Sequence, residues 1–581
     1  MSQDDPPTHL PRAAVLEAPP LVMTRVQSIA RRVNRLAEHA DRSRVLPIAV
    51  LSLLYLAVTI VFAQRKLMWN DELYTYYMAR LPTMSHVWAA LMSRGEQTPP
   101  FFYWTTRMSF HLFGVNNLSV RLPEMIGFWV MLASVYVLVA RRASSLAGLC
   151  AAAVPLVTTA YSYAFEARPY GLLLGFCALA LVSWQSVTLN RRRSISLVVL
   201  GATVAAAVST QYYGVLVLLP LAFGEGVLSL IRRRFDIAVW AALAVSIVPL
   251  AFHLPLIRAG AAYSSAFWSP PQWVNVPDFY TDLLTPAIVP IAFVLVLVGI
   301  YSMMAGSDRG DAGTSTLRVL PWHEVAAAGG FAIIPVVCVV LAKVSSGAYV
   351  NRYAIPAVIG FAMLVGTATA FRRSATLRLV IAVSLTGWFL LSQAREFIEP
   401  TGFSMPVSQA QVNRATEWLA NRDRDLPVVV ADAQTFAVLS HYGSGEVKSR
   451  IVYLADPDLA LKHLGHNSVE RGMLDLLRPW FGMHVVEFEP YTAAHPRFLL
   501  YGDFVRLSFL NWLLPELHTR GWRTELLNMG GDNMLFLASR DRGATGPAAP
   551  GRPAVPLTGA RPRALAPDAR ATHAQQPTLL R

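Results

Sequence analysis

The sequence is poor in charged residues and in cysteine. Only 15% of its 581 residues are Asp, Glu, Lys or Arg, whereas 54% are hydrophobic. A soluble protein of this length carries more charge, so the composition predicts that most of the chain lies in lipid. The three cysteines, Cys150, Cys177 and Cys338, fall within apolar segments. They offer neither a disulfide framework nor a metal-binding spacing and are expected to be small buried hydrophobic residues.

Other signals are also missing from the sequence. It has no recognisable internal repeat, no Gly-rich phosphate-binding loop and no small-residue cleavage site after its first apolar run, which is therefore expected to be an anchor. A net charge of +14 is compatible with nucleic-acid binding, but the basic residues occur as short clusters between apolar runs. Such clusters are typical of the cytoplasmic loops of a polytopic membrane protein, so no nucleic-acid partner is expected.

The apolar runs predict the topology. A spanning helix needs about 20 residues, and segment 98–113 is short, opens with two prolines and carries Arg107 and His111. An interfacial helix suits this segment better than a span, and the basic clusters at 141–142, 191–193, 232–234 and 372–373 then all lie on the cytoplasmic side. The eleven predicted spans are 45–64, 120–140, 145–163, 169–188, 195–210, 213–231, 237–255, 286–305, 323–343, 354–371 and 376–393.

The chain is predicted to have four parts. Residues 1–44 form an arginine-containing cytoplasmic tail, and residues 45–393 form the transmembrane module. Residues 394–541 form a small extracytoplasmic α/β domain, because AQVNRATEWLANR and TFAVLSHYG have the pattern of helices, whereas LPVVVAD, SRIVYLAD and NMLFLASR have that of strands. Residues 542–581 are rich in Pro, Ala, Gly and Arg and are expected to be disordered.

The stretch WNDELYTYY, residues 69–77, places two adjacent carboxylates, Asp71 and Glu72, just after the first span. In a structural interpretation Asn70 caps a helix, the acids interact favourably with the helix dipole, and the tyrosines anchor the helix in the membrane interface. Neighbouring helical residues point about 100° apart, so one carboxylate can cap the helix while the other faces a cavity. Taken alone, the pair favours a structural role.

Further polar residues fall on the same predicted side of the membrane. YSYAFEARPYGLLL contributes Glu166, Arg168 and Tyr170, and SSGAYVNRYAIPAV contributes Arg352 and Tyr353. A lone arginine at the end of a span usually contacts lipid headgroups. Two arginines and three acids around one surface would instead form a cation-lined pocket facing carboxylate bases. This combination suits a phosphate leaving group and a hydroxyl nucleophile.

The order of the Asp-Glu pair, TPPFFYW, FGVNNLSVRLP, EARPYGLLL and NRYAIP resembles that of the GT-C glycosyltransferases over residues 45–370. The similarity is greatest to the protein O-mannosyltransferases, the bacterial aminoarabinose transferases and the lipopolysaccharide core transferases. The resemblance implies an inner-membrane hexosyl or pentosyl transferase of the cell envelope. Such an enzyme moves a sugar from a polyprenyl-phosphate donor to a hydroxyl of a lipid, polysaccharide or protein acceptor on the extracytoplasmic face.

The resemblance also implies roles for individual residues. Asp71 is the expected general base, and Arg352 is expected to bind the donor phosphate. The remaining candidates are Glu72 and Glu166 for catalysis, and Arg121, Arg168, Tyr170 and Tyr353 for substrate binding. Relatives commonly carry His or Lys where this chain has Thr98, which leaves Glu96 as the candidate ligand for a divalent cation, and no other cofactor is expected.

Two other functions remain open from the sequence. A flippase or transporter of lipid-linked sugars would have polar residues along a path through its spans, and His253 and Glu225 are the main candidates. A non-catalytic component of envelope assembly would display the external domain. That alternative gives no reason for the Asp-Glu, Glu-Ala-Arg and Arg-Tyr motifs on one face.

Overall fold

The computed structural model describes residues 20–261, 266–304, 320–371, 374–399, 407–420 and 422–540. Its first part is a helical module, and its last part is built around a β-sheet. The helices of the module are α1 (Pro20–Arg42), α2 (Leu46–Arg65), α3 (Asn70–Ala79), α4 (Met84–Met92), α5 (Pro100–Phe113), α6 (Leu122–Ala140), α7 (Ser145–Ala153), α8 (Tyr170–Thr188), α9 (Arg193–Thr210), α10 (Leu218–Arg232), α11 (Ile237–Val245), α12 (Val248–Ala261), α13 (Asn275–Leu284), α14 (Ile288–Met304), α15 (Trp322–Leu341), α16 (Ala357–Ala368) and α17 (Ala375–Ile398).

Nine helices within the described ranges are long and apolar enough to cross a membrane by length and composition: Leu46–Arg65, Leu122–Ala140, Tyr170–Thr188, Arg193–Thr210, Tyr212–Arg232, Ile237–Ala261, Asn275–Ile300, Trp322–Ser345 and Ala375–Ile398. Two shorter apolar helices, Ser145–Val157 and Ala357–Ala368, coincide with the other two predicted spans. The first of these is shorter than expected because Pro155 lies in a 3₁₀ turn that ends α7. Helix α5 has only 14 residues and is not among the nine.

Glycines allow close packing in the centre of the module. A Cβ atom on Gly127 would clash with the backbone of Leu172, and one on Gly175 would clash with the backbone of Gly127. Helices α6 and α8 therefore approach each other more closely than helices with larger side chains could. Small residues have this role in membrane helix packing because lipid supplies no hydrophobic force between helices.

The basic pair Arg141 and Arg142 lies at one end of the module, while the predicted basic pair at 372–373 lies outside the described residues. Arg142 forms an ion pair with Glu324 at the start of α15, and Arg141 donates a 2.9 Å hydrogen bond to Ser186 near the end of α8. Helices α6 and α8 begin at the opposite end, at Leu122 and Tyr170. The loops that carry Glu166, Arg168 and Arg352 lie at that opposite end, which agrees with the separation of basic and acidic loops predicted from the sequence.

The structure describes part of the predicted N-terminal tail but none of the predicted C-terminal tail. Within residues 1–44, the expected tail, the structure places α1, whose Asp41 pairs with Arg378 of α17 at 2.7 Å. The predicted disordered tail, residues 542–581, lies outside the described residues. Part of the predicted cytoplasmic tail is thus a helix packed on the module.

The C-terminal part contains a six-stranded mixed sheet in the order β3-β2-β1-β4-β6-β5. Strands β1 to β4 are parallel, and β6 is antiparallel to both β4 and β5. The strands are β1 (Val428–Val430), β2 (Ile451–Ala455), β3 (Val485–Glu487), β4 (Arg497–Asp503), β5 (Arg523–Gly530) and β6 (Asn533–Ser539), and the helices are α18 (Gln409–Ala420), α19 (Ala433–Tyr442), α20 (Gly445–Arg450), α21 (Pro457–Leu464), α22 (Ser468–Gly472), α23 (Arg478–Phe481), α24 (Phe488–Ala494) and α25 (Leu513–Thr519). The sequence patterns predicted β1, β2, β6, α18 and α19, but not β3, β4 or β5.

The sheet domain packs directly on α3. The Tyr442 hydroxyl accepts a 2.7 Å hydrogen bond from the Met68 backbone amide, and the Tyr77 hydroxyl lies 3.0 Å from His441 Nδ1. The rings of Tyr77 and Phe481 are stacked with centroids 5.2 Å apart. In the structural interpretation of WNDELYTYY the tyrosines anchor the helix in the membrane interface; in the structure Tyr77 joins α3 to the sheet domain.

Candidate functional site

Glu72 is a buried structural carboxylate. It accepts hydrogen bonds from the backbone amides of Ala167 at 2.9 Å and Trp69 at 3.4 Å, the latter at the N-terminus of α3. Arg121 Nε lies 2.7 Å and Lys66 Nζ 3.4 Å from its oxygens. Burial alone would raise the pKa of Glu72, but Arg121 and then Lys66 more than offset this and hold the pKa below its ordinary value.

Arg121 completes this buried cluster. Its guanidinium donates to the backbone carbonyl of Ala63 at 2.5 Å, in the last turn of α2, and to that of Lys66 at 2.8 Å, at the C-cap of this helix. It thereby satisfies carbonyl groups that the end of a helix leaves without partners. Arg121 has no exposed surface. In the structure Arg121 thus stabilises the contact between α2 and α3, whereas the sequence predicted that it binds a substrate.

Asp71 points away from this cluster, as expected for neighbouring helical residues. Its Oδ2 lies 2.8 Å from Arg352 NH1 and 3.9 Å from Arg168 Nε. These three residues line a cavity of about 210 Å³, here called the central cavity, together with Glu96 and Tyr353. Of the two neighbouring carboxylates, Glu72 thus accepts from the Trp69 amide at the start of α3 and Asp71 faces a cavity, whereas Asn70, the expected cap, is the first residue of the helix.

The two arginines are held in place but retain unused donors. Arg168 NH1 lies 3.2 Å from Glu96 Oε2, and the Arg352 guanidinium carbon lies 5.8 Å from the centre of the Tyr170 ring. Among the described residues, the Nε atoms of Arg168 and Arg352 have no hydrogen-bond partner. Buried guanidinium donors of this kind suit a multiply charged oxyanion such as phosphate.

Glu96 does not have the surroundings of a metal ligand. Its Oε1 accepts hydrogen bonds from the Thr98 hydroxyl at 2.7 Å and from the Gln97 and Thr98 amides at 2.9 Å, while its Oε2 faces Arg168. Across the described ranges, no group of three or more His, Cys, Asp and Glu side chains could hold a metal ion. The hydrogen-bond donors around Glu96 therefore suit a carboxylate that orients Arg168 better than one that binds a divalent cation.

Glu166 lies close to the central cavity but lines a different one. Its Oε2 is 3.9 Å from Lys66 Nζ, and its residue is 8% exposed. Burial raises the pKa of Glu166, and the charge of Lys66 partly offsets the rise. Together with Asn70, Lys66 and residues of the sheet domain, Glu166 lines a cavity of about 120 Å³, here called the interdomain cavity.

A third cavity lies between helices of the membrane module. This helical cavity of about 230 Å³ shares Glu96, Arg168 and Tyr353 with the central cavity. Its other lining includes Tyr170 and apolar side chains from α12 and α15, Leu256, Ile257 and Leu341. The charged central cavity thus adjoins a largely apolar space.

The sequence did not identify all residues of the site. Lys66 was not among the predicted site residues, and only its position just after the first span could have indicated a role. Gln434 and Ser468 also line the central cavity, but they belong to the sheet domain and lie more than 350 positions from Asp71 in sequence. No local pattern marks them, because the packing of the two parts of the chain brings them to the site.

The polar residues expected along a transport path have structural contacts. Glu225 is 2% exposed and accepts a 2.9 Å hydrogen bond from Trp184 Nε1. The ring of His253 packs edge-on against Tyr212 with a centroid distance of 5.8 Å. Neither residue is among the lining of the three cavities described above.

Residues 97–258 match the family described as dolichyl-phosphate-mannose-protein mannosyltransferase. No curated protein sequence matches the chain significantly. The fold is similar to the crystal structure of ArnT from Cupriavidus metallidurans in the apo state, with a TM-score of 0.51 and 13% identity, and the match covers 85% of this chain and 97% of that one. It is also similar to the structure of the same protein bound to undecaprenyl phosphate, with a TM-score of 0.50 and 12% identity, and this match covers 87% of this chain and 100% of that one. The Archaeoglobus fulgidus oligosaccharyltransferase crystallised with Zn and sulfate matches with a TM-score of 0.39 and 13% identity over 79% of this chain and 68% of that one. The similarity to ArnT shows that the chain shares this fold, and the nine helices of the described residues that are long and apolar enough to cross a membrane indicate an integral membrane protein.

Proposed function

We propose that the protein is a membrane glycosyltransferase that moves a sugar from a polyprenyl-phosphate donor to an acceptor hydroxyl on the extracytoplasmic face. The observation that carries the proposal is the position of the Asp71 carboxylate between Arg352 and Arg168, in a cavity that adjoins an apolar space between helices. A base, a pair of cations and a lipid-compatible cavity are the three parts that this reaction needs.

Arg168 and Arg352 bind the donor phosphate in this proposal. Their Nε donors have no hydrogen-bond partner in the described structure, and both side chains are largely buried, so an anion between them is shielded from water. The isoprenoid chain extends into the helical cavity, whose lining contains Leu256, Ile257 and Leu341. An undecaprenyl phosphate complex is known for ArnT from Cupriavidus metallidurans, and its fold is similar to this one.

Asp71 acts as the general base for the acceptor. A phosphate that takes over the Arg352 donors leaves the Asp71 carboxylate available to a hydroxyl group. The hydroxyl oxygen forms a bond to the anomeric carbon, its proton passes to Asp71, and the bond from that carbon to the phosphate oxygen breaks. The electron pair remains on the departing phosphate, where the two arginines stabilise the growing charge. Attack from the face opposite the phosphate inverts the anomeric configuration.

Glu72 and Arg121 have a positioning role in this proposal. They fix the start of α3 against α2 and the Ala167 backbone, and this contact orients the neighbouring Asp71. The transporter alternative is less favoured, because Glu225 already has a hydrogen-bond partner within the bundle.

Binding of undecaprenyl phosphate, the lipid-phosphate part of the proposed donor, tests the proposal most directly. A charge-assisted hydrogen bond contributes about 1.5–3 kcal/mol, so the Kd for undecaprenyl phosphate should rise about 10- to 100-fold in Arg352→Ala. Arg352→Lys should recover only part of the loss, because an ammonium group cannot reproduce the planar fork of donors. Arg80→Ala is the matched control, since Arg80 lies at the end of α3 and contacts Tyr76.

Turnover separates the base from the phosphate-binding residues. Asp71→Asn keeps the shape of the side chain but removes the proton acceptor, so transfer should slow by about 10²-fold or more with little change in donor Kd. Unchanged donor Kd in Arg352→Ala, or near wild-type transfer by Asp71→Asn, would contradict the assignment of that residue.

A further inference from the structure

The interdomain cavity lies between the membrane module and the sheet domain. Trp69, Asn70 and Glu166 line it from the module, and Gln434 and Thr435 from α19 of the sheet domain. A cavity formed by two parts of one chain has the usual location of a small-ligand site. The mechanism proposed above uses none of these five residues for donor binding or proton transfer.

Two polar atoms at this cavity have no partner within the protein. Among the described residues, neither Trp69 Nε1 nor Asn70 Oδ1 has a hydrogen-bond partner, although both atoms are shielded from solvent. Buried polar atoms are nearly always hydrogen-bonded, so such atoms beside a cavity indicate a polar ligand. One is a donor and the other an acceptor, and a hydroxyl group can satisfy either of them.

The interdomain and central cavities adjoin each other. Asn70 and Gln434 line both of them, and Asn70 directly precedes Asp71 in α3. A ligand in the interdomain cavity therefore has a short route to the carboxylate between the two arginines. This is the geometry required of an acceptor, whose hydroxyl must reach the base while the rest of the molecule stays outside the donor site.

The chemistry of the lining favours a saccharide over a peptide. Amide side chains from Asn70, Gln434 and Asn533, together with the Trp69 indole, suit a ligand with several hydroxyl groups and apolar ring faces. An extended peptide commonly binds by pairing with the edge strand of a sheet. The edge strands β3 and β5 contribute no residue to this cavity, whereas the central strands β4 and β6 contribute Tyr501 and Asn533.

We propose that the interdomain cavity binds a sugar unit of the acceptor and presents one of its hydroxyl groups past Asn70 and Gln434 to Asp71. The inference rests on the proposed transferase function and specifies its acceptor as a glycan or glycolipid. The sheet domain is then part of the acceptor site, with Gln434 contacting the saccharide directly.

Photocrosslinking of the full-length protein in lipid nanodiscs tests the inference. The saccharide probe is a methyl glycoside that carries a diazirine, and the comparison probe is a threonine-containing tetrapeptide with the same diazirine. Crosslinked sites are mapped by mass spectrometry. We expect the saccharide probe to label residues 407–415 or 433–439, in competition with unlabelled methyl glycoside.

Two substitutions keep the test specific. Trp69→Phe removes the unpartnered donor while keeping an aromatic ring, and Gln434→Leu removes the amide at the junction of the two cavities. Each should lower saccharide labelling about three- to tenfold, whereas Gln409→Leu, an exposed glutamine in α18, should not change it. The Kd for undecaprenyl phosphate should stay unchanged in Trp69→Phe.

The result also distinguishes this inference from the proposed function. Labelling of the cavity by the peptide probe but not by the saccharide probe, or saccharide labelling that is unaffected by both substitutions, would overturn the acceptor assignment. Donor binding that depends on Arg352 would still support the transferase in either case. Donor binding that is independent of Arg352 would instead refute the proposed phosphate site.

Discussion

The buried ion pair between Glu72 and Arg121 allows a sharp prediction about stability. Glu72→Gln removes the charge that faces Arg121 Nε at 2.7 Å and Lys66 Nζ at 3.4 Å, although neither cation can move into water. Breaking a buried ion pair by removing one partner costs about 3–5 kcal/mol, because the other charge remains buried without compensation. The free energy of unfolding should fall by this amount in Glu72→Gln.

The matched control is an exposed ion pair in the same module. Glu38 and Arg42 lie 3.4 Å apart in α1, with 57% and 82% of their side chains exposed. Loss of such a pair costs about 0–1 kcal/mol, so Glu38→Gln should leave stability almost unchanged.

Denaturant titration of the purified protein in detergent, followed by intrinsic tryptophan fluorescence, measures the difference. Transfer per folded molecule should fall less in Glu72→Gln than in Asp71→Asn. A stable Glu72→Gln variant that has lost transfer would refute the reasoning, since Glu72 would then have a chemical rather than a structural role.

Three further predictions concern pH, packing and topology. Burial raises the pKa of Glu470 from 4.5 to about 7, so the contribution of this residue to the free energy of unfolding is fully present below pH 4.5 and is lost as the pH rises through 7. At pH 8 this loss is on the order of 3 kcal/mol. Glu470→Gln should therefore raise the melting temperature at pH 8 and not at pH 4. Gly175→Ala should destabilise the protein by about 1–3 kcal/mol in the same titration, because the new methyl group meets the backbone of Gly127, whereas Gly226→Ala, which faces open space, should not. A thiol reagent that cannot cross membranes should label Ser444→Cys in intact cells, since the three native cysteines are buried; labelling only after lysis would contradict the proposed orientation.

The sequence predicted the helical module well but could predict the sheet domain only in part. Spans are recognisable locally, because about 20 apolar residues identify a helix without information from elsewhere in the chain. Strand β5 was not recognised because its residues are mostly exposed or half-buried, so no apolar run marks it. Strand β4 was missed although six of its seven residues are buried, because a short apolar run does not distinguish a strand from a buried helix.

The same limit applies to the candidate site. The motifs identified Asp71, Arg168 and Arg352, which the structure brings together in one cavity. The family resemblance implied that Asp71 is the base, but no sequence pattern showed that Glu72 is bound by Arg121 and the Ala167 amide, which reach it through the fold. Sequence spacing specifies that neighbouring helical side chains diverge, but not which of them meets a partner.

The contact between α3 and the sheet domain has a consequence for synthesis of the protein. The bond between Met68 and Tyr442 joins residues 374 positions apart, and that between Tyr77 and His441 joins residues 364 positions apart. At about 5–20 residues per second, the ribosome needs roughly 20–75 s to reach His441 after it has made Tyr77. During this interval the helix that carries Asp71 lacks one of its packing surfaces, and a chain that is released early never obtains it. The nascent protein can therefore insert its first spans long before it can complete the cavity at their end.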